Sequence, residues 1–192
     1  MGDGMIRFTS GLAALMLVVL ASGAQAATLD FTGAGPQGGG FYTEDGLQFD
    51  DVRIVNGNCD ALSGKSCGAL NDNETSVLTA VGGGTFSLTS FWFQLLGRGT
   101  DNTLFIITDL LATAYEFPRS IFGNNDGGQY VDLTLLTGFA GATSVTFYTE
   151  DGGNVRIDDL AIAAVVPVPA AGFLLVGALG GLAALRRRRK LV

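Results

Sequence analysis

The sequence predicts an all-β protein, an antiparallel sandwich of two sheets, flanked by an N-terminal signal peptide and a C-terminal transmembrane sorting helix. Three observations carry this expectation. Between residues 27 and 164 no segment sustains a 3.6-residue apolar period, whereas several short segments alternate polar and apolar residues with the period of a strand. Glycine, asparagine and aspartate separate those segments as turns require. Each end of the chain holds an uncharged apolar run beside cations, the pattern of a targeting segment.

In chain order, residues 1–26 read as a secretory signal: Arg7, an apolar run from Leu12 to Ala21, then the small-x-small site Ala24-Gln25-Ala26, so that Ala27 becomes the first mature residue. Met5-Ile6-Arg7 offers a second start that omits Asp3. Eight strands are expected over 28–32, 47–55, 76–80, 85–96, 103–110, 130–137, 143–149 and 155–163. Gly33 to Gly40, Gly82-Gly83-Gly84 and Gly123 to Gly128 supply loops between them. Eight strands with long connections suit a jelly-roll-like sandwich, and 138 residues suffice for one core, so residues 27–164 form a single domain. The motif Phe-Tyr-Thr-Glu-Asp-Gly occurs twice, at Phe41 to Gly46 and Phe147 to Gly152, each copy followed by a paired-aspartate strand. Two copies do not make a solenoid, and they are expected at corresponding places in the sandwich.

Charge and composition exclude much. The domain carries 17 acidic and 5 basic residues, net −12, while the tail carries five cations. That balance argues against nucleic acid and against anionic membrane surfaces. Histidine is absent and cysteine occurs twice, which removes Ser-His-Asp and Cys-His nucleophile systems, His-ligated zinc and four-cysteine metal sites. Cys59 and Cys67 flank a loop-like stretch and are expected to pair in an oxidising compartment.

Two kinds of candidate site remain. Alternation carried back from Leu160 and Ile162 turns Asp158 inward, and alternation from Val52 and Ile54 turns Asp50 inward. An inward carboxylate needs a partner. One reading is a structural Ca²⁺ held by Asp158 with oxygen ligands from Asp50, Asp30 or nearby carbonyls; the other is that each aspartate accepts turn N–H groups. Among aromatics, the core phase runs Phe86, Leu88, slips by one at Thr89-Ser90, then continues Phe91, Phe93, Leu95. Trp92, the single tryptophan, is left on the outer face, where it either stacks on a sugar or lies beneath a loop. Tyr115 and Tyr130 are further platform candidates. The carboxylate pairs Glu44/Asp45 and Glu150/Asp151 are adjacent residues in Glu-Asp-Gly turns, whereas glycoside hydrolysis needs two carboxyls from separate positions.

The tail, residues 165–192, reads by its own physics. Val166, Pro167, Val168 and Pro169 precede an uncharged run over 170–185, closed by Arg186, Arg187, Arg188, Arg189 and Lys190. The prolines bar a helix from starting much earlier, and the five cations stop transfer and hold that end in the cytoplasm. Sixteen residues at a rise of about 1.5 Å reach roughly 24 Å, against a hydrocarbon core of ~30 Å that snorkelling arginines help to cover.

These features together resemble the PEP-CTERM sorting-domain proteins of Gram-negative bacteria. The resemblance rests on Val166-Pro167-Val168-Pro169-Ala170-Ala171-Gly172 and Leu185 to Lys190, with Val168 where the family motif has glutamate. It implies recognition by an exosortase-type membrane transpeptidase, a transient anchor in the inner membrane, and delivery to the cell surface or the extracellular matrix. The middle domain is similar to jelly-roll modules that end in an Ile-Asp-Asp-Ile-like strand, matched here by Ile157-Asp158-Asp159-Leu160, with Leu29-Asp30-Phe31 resembling the opening strand. The expectation is an exported, non-enzymatic surface or matrix protein, with exopolysaccharide binding as the alternative and glycan hydrolysis behind both.

Overall fold

Residues 25–57, 59, 61, 66–96, 102–122, 127–150 and 152–167 are described by a computed structural model of the chain. They form β1 (Gln25–Leu29), β2 (Tyr42–Glu44), β3 (Leu47–Asp50), β4 (Arg53–Val55), β5 (Cys67–Leu70), β6 (Thr75–Ala80), β7 (Gly84–Leu95), β8 (Thr103–Thr108), β9 (Tyr115–Pro118), α1 (Arg119–Phe122), β10 (Gln129–Asp132), β11 (Ser144–Thr149) and β12 (Val155–Pro167). All pairings are antiparallel and build two six-stranded sheets. The first runs β10-β7-β12-β5-β4, with β1 also on β12; the second runs β2-β3-β6-β11-β8-β9. Beside β12, β5 takes Val155 to Ile157 and β1 takes Leu160 to Val165.

Alternation decides which faces meet. Leu47 and Phe49 of β3, Leu104 and Ile106 of β8, and Val145 and Phe147 of β11 are buried from the second sheet. Phe86, Leu88, Phe91, Phe93 and Leu95 of β7 oppose them from the first. Phe91 joins the sheets through edge contacts with Phe117 at 5.6 Å and Phe147 at 5.9 Å between ring centroids. Burying each such ring contributes about 1.5 to 3 kcal/mol, so this aromatic seam is the main source of cohesion.

The longest ladder, β7 with β12, is broken by three register shifts, and the first two serve the core. Asp158 faces Trp92 but Ala161 faces Ser90, one residue extra on β12, which lets Ile157 and Leu160 both enter the core. Ala161 faces Ser90 but Ile162 faces Leu88, one residue extra on β7, at the slip that the spacing of Leu88 and Phe91 predicts. A bulge of this kind restores the phase at the expense of a ladder position.

The all-β expectation holds, and the differences are local. The expected strand over 47–55 is two strands in different sheets, because Asp51 turns the chain at φ 55°. The first strand sits earlier than expected, ending at Leu29 before Phe31 at φ 53°. β2, β5 and β9 were not expected; each has only three or four residues. The two Phe-Tyr-Thr-Glu-Asp-Gly copies are not equivalent: the first is the β2–β3 hairpin, turned at Asp45 and Gly46 with φ 47° and 79°, and the second leads from β11 across to the other sheet. Cys59 and Cys67 form a disulfide across the loop joining β4 to β5.

Among the described residues no helix is long and apolar enough to cross a membrane. Residues 1–24 of the signal predicted over 1–26, the helix over 170–185 and Arg186, Arg187, Arg188, Arg189 and Lys190 lie outside the described residues, as do Val168 and Pro169. β1 includes Gln25 and Ala26, and β12 runs on through Val166 and Pro167, opposite Thr85 and Gly84.

Phe91→Ala is expected to cost about 3 to 5 kcal/mol in urea unfolding while Thr43→Ala, on an exposed position, changes little. Reduction of the Cys59–Cys67 bond is expected to remove roughly 2 to 3 kcal/mol, read as a lower thermal midpoint in dithiothreitol.

Candidate functional site

The slip at Thr89-Ser90 has an effect on the opposite face of the first sheet. Thr89 and Ser90 both lie outside the core cluster, so two small side chains adjoin where a regular strand would present one. Thr89 Oγ1 donates to the Ala161 carbonyl at 3.0 Å and its own carbonyl accepts Leu133 N–H at 2.8 Å, which fixes the bulge between β12 and the end of β10. Beside it opens a groove of about 400 Å³ lined by Thr89, Ser90, Tyr130, Val131, Asp132 and Thr134.

Tyr130 is the wall of this groove. Its ring is 48% exposed, and its hydroxyl donates to Asp159 Oδ2, which tethers an exposed aromatic in one orientation. Asp132 Oδ1 accepts both Thr134 N–H, at 2.8 Å, and Thr134 Oγ1, at 2.6 Å; these bonds hold its carboxyl below the usual range, so it stays ionised. An aromatic face beside fixed carboxylate acceptors and hydroxyls is a surface suited to polyhydroxylated ligands.

A second cluster closes the open edge between the sheets. Glu44, at the end of β2, accepts the N–H groups of Asp30 at 3.0 Å and Phe31 at 3.2 Å on one oxygen, Oε2. Tyr42 packs against Phe31 with ring centroids 5.0 Å apart and planes tilted by 34°, and bonds Glu44 through its hydroxyl. Burial, then the negative charge of Glu44, its hydrogen bond, and the charges of Asp30 and Asp158 push the Tyr42 phenol up to about 12. Burial also raises Glu44, against the pull of its two backbone donors. This carboxylate clamps the segment after β1 onto the second sheet, a structural duty that a turn-former reading of Glu44 misses.

The residues expected from the sequence take different places. Asp158 is fully buried, takes the Asp159 N–H on Oδ1 at 2.8 Å, and lies in register with Trp92. Asp30 caps its own turn by accepting Thr32 N–H at 2.8 Å. Asp50 is not inward: it shares the outer face of β3 with Gln48, whose Nε2 donates to it at 2.6 Å, because Asp51 interrupts the alternation that would have turned it. The three aspartates therefore do not converge, and among the described residues no group of three potential metal ligands is found. The three do not form one set of ligands for a calcium ion.

Trp92 does lie away from the core cluster, but it is only 2% exposed and offers no platform. Gly128, at φ 66°, passes so close that a Cβ there would stand 2.2 Å from the indole, so the loop before β10 roofs the ring. Tyr115 packs on Phe139 at 5.4 Å. Of the three aromatics considered, Tyr130 is the exposed one. Val166 and Pro167 end β12, and Cys59 and Cys67 are bonded. Asp159, which strict alternation with Leu160 would leave facing solvent, holds Tyr130; an Asp-Asp pair at φ 48° on its second member is a bulge, and only the extra residue in the ladder reveals it.

Gly128→Ala is expected to lift the roof and red-shift the emission of Trp92, the single tryptophan. Glu44→Ala leaves two backbone donors unmatched and is expected to cost about 1 to 3 kcal/mol. Because folding raises Glu44 from its ordinary 4.5, its contribution is fully present below that pH and is lost as pH rises through the raised value. Glu44→Gln removes the titration, so the variant is expected to gain in unfolding midpoint over the parent from pH 4 upward; a difference that does not vary with pH contradicts this. No protein-family model matches the chain, and no curated protein matches it.

Proposed function

We propose that this chain is an exported, non-enzymatic cell-surface or extracellular-matrix protein, a jelly-roll-like β-sandwich delivered by a PEP-CTERM/exosortase-type sorting signal. One observation carries the reading: the uncharged run over 170–185 ends at five consecutive cations, while the domain upstream holds a net charge of −12. The cluster of cations sets the orientation of the apolar segment beside it, cations inside and domain outside. The Cys59–Cys67 bond accords with that side of the membrane, since such bonds persist in oxidising compartments. The partners are an exosortase-type transpeptidase and, transiently, the inner membrane; nucleic acid is not a partner of so acidic a domain.

Intact mass spectrometry of protein recovered from the cell envelope and medium tests this. The expected product starts at Ala27, carries the disulfide, and either retains residues 170–192 or ends near Pro169. Cytosolic protein that keeps residues 1–26 and has both thiols free overturns the reading.

The Tyr130 groove favours a second reading, recognition of an exopolysaccharide by the same domain. Tyr130→Ala is expected to weaken pull-down on matrix polysaccharide about tenfold without lowering the unfolding midpoint, because the ring is exposed and its removal opens no cavity.

A further inference from the structure

The groove beside Tyr130 does not end at its wall residues. Asp132 is the register partner of Ser90 on β7, Ser90 of Ala161 on β12, and Ala161 of Thr28 on β1. Directly opposed residues project from the same side of a sheet, so these four make one row across four strands. At a strand spacing of ~4.8 Å the row is roughly 14 Å long. Its members past Asp132 are small, and Thr28 at the far end is exposed, so the row is a low shelf rather than a pit. On the adjoining row, Tyr130 rises at one end and Trp92 is sealed beneath Gly128.

Resting on the glycan reading above, we propose that this shelf binds the interior of an extended, uncharged polysaccharide, laid across β10, β7, β12 and β1 with one ring against Tyr130. Length supports a chain rather than a single sugar, because a site for a monosaccharide needs no row continuing to β1. Openness supports an internal stretch, since Thr28 at that end is exposed. Charge selects against uronates: among the described lining residues the only carboxyl is Asp132, kept ionised by Thr134, and none is a cation; Asp159 stands behind the Tyr130 hydroxyl. Those carboxylates accept hydrogen bonds from sugar hydroxyls and repel acidic chains.

Affinity electrophoresis of the full chain, in gels containing a neutral β-glucan, a neutral galactomannan or a polyuronate, tests the selectivity. Retardation by a neutral polymer and none by the polyuronate is expected. Binding of neutral oligosaccharides should strengthen at least tenfold from disaccharide to hexasaccharide. Thr28→Arg, exposed and outside the groove proper, should cancel that gain and leave disaccharide binding and the unfolding midpoint unchanged. Equal affinity for both lengths, or a silent Thr28→Arg, overturns the extended shelf but keeps a sugar site at Tyr130. Retardation by the polyuronate alone overturns the selectivity. Binding to none of the polymers removes the glycan reading itself and this inference with it, while leaving export untouched.

Discussion

The pairing of β7 with β12 is the constraint on which the other features depend. These are the longest strands, of 12 and 13 residues, and each must send large apolar side chains inward along most of its length. Neither sequence alternates strictly enough to do so as a regular strand. At the first two register shifts along β12, one extra residue on each strand resolves the conflict: Leu88 and Phe91 both face inward, and so do Ile157 and Leu160. The same insertions put Thr89 and Ser90 together on the reverse face and send Asp159 out of the ladder toward Tyr130. Core packing and groove are two faces of one irregularity, so selection on either acts on the other.

Legibility in the sequence depends on what a residue pattern can encode. The β7 slip is readable because Phe86, Leu88, Phe91, Phe93 and Leu95 are all large and leave one phase to choose. β2, β5 and β9 are not, since three or four residues contain too little alternation, and Cys67 to Leu70 are buried on both faces. Asp50 escapes the pattern because alternation does not carry through Asp51, whose left-handed backbone resets it. The roof over Trp92 depends on Gly128 arriving from more than thirty residues downstream, which no local pattern reports. Of the candidate site, Tyr130 is visible as an aromatic worth weighing; that Asp159 holds it is not.

The two paired aspartates show how a shared motif can share a backbone device without sharing a role. In both, the second aspartate takes a positive φ, 55° at Asp51 and 48° at Asp159, a conformation that aspartate tolerates better than most side chains. At Asp51 it carries the chain from one sheet to the other; Ser76 Oγ fastens that corner by donating to the Asp51 carbonyl at 3.0 Å. At Asp159 the chain stays in its sheet and gains one residue. Tertiary surroundings decide between a corner and a bulge, and the dipeptide leaves both open.

β12 carries the chain through Val166 and Pro167 while still paired to β7, so the ladder reaches into the first residues of the tail. Tension applied beyond Pro167 therefore arrives lengthwise along β12. Its ladder bonds to β7 and β1 stand across that direction and are loaded together in shear rather than opened one by one. A domain tethered at this point resists extraction by drag on its surroundings with its two longest strands at once, and rupture begins only when the ladder slides as a whole.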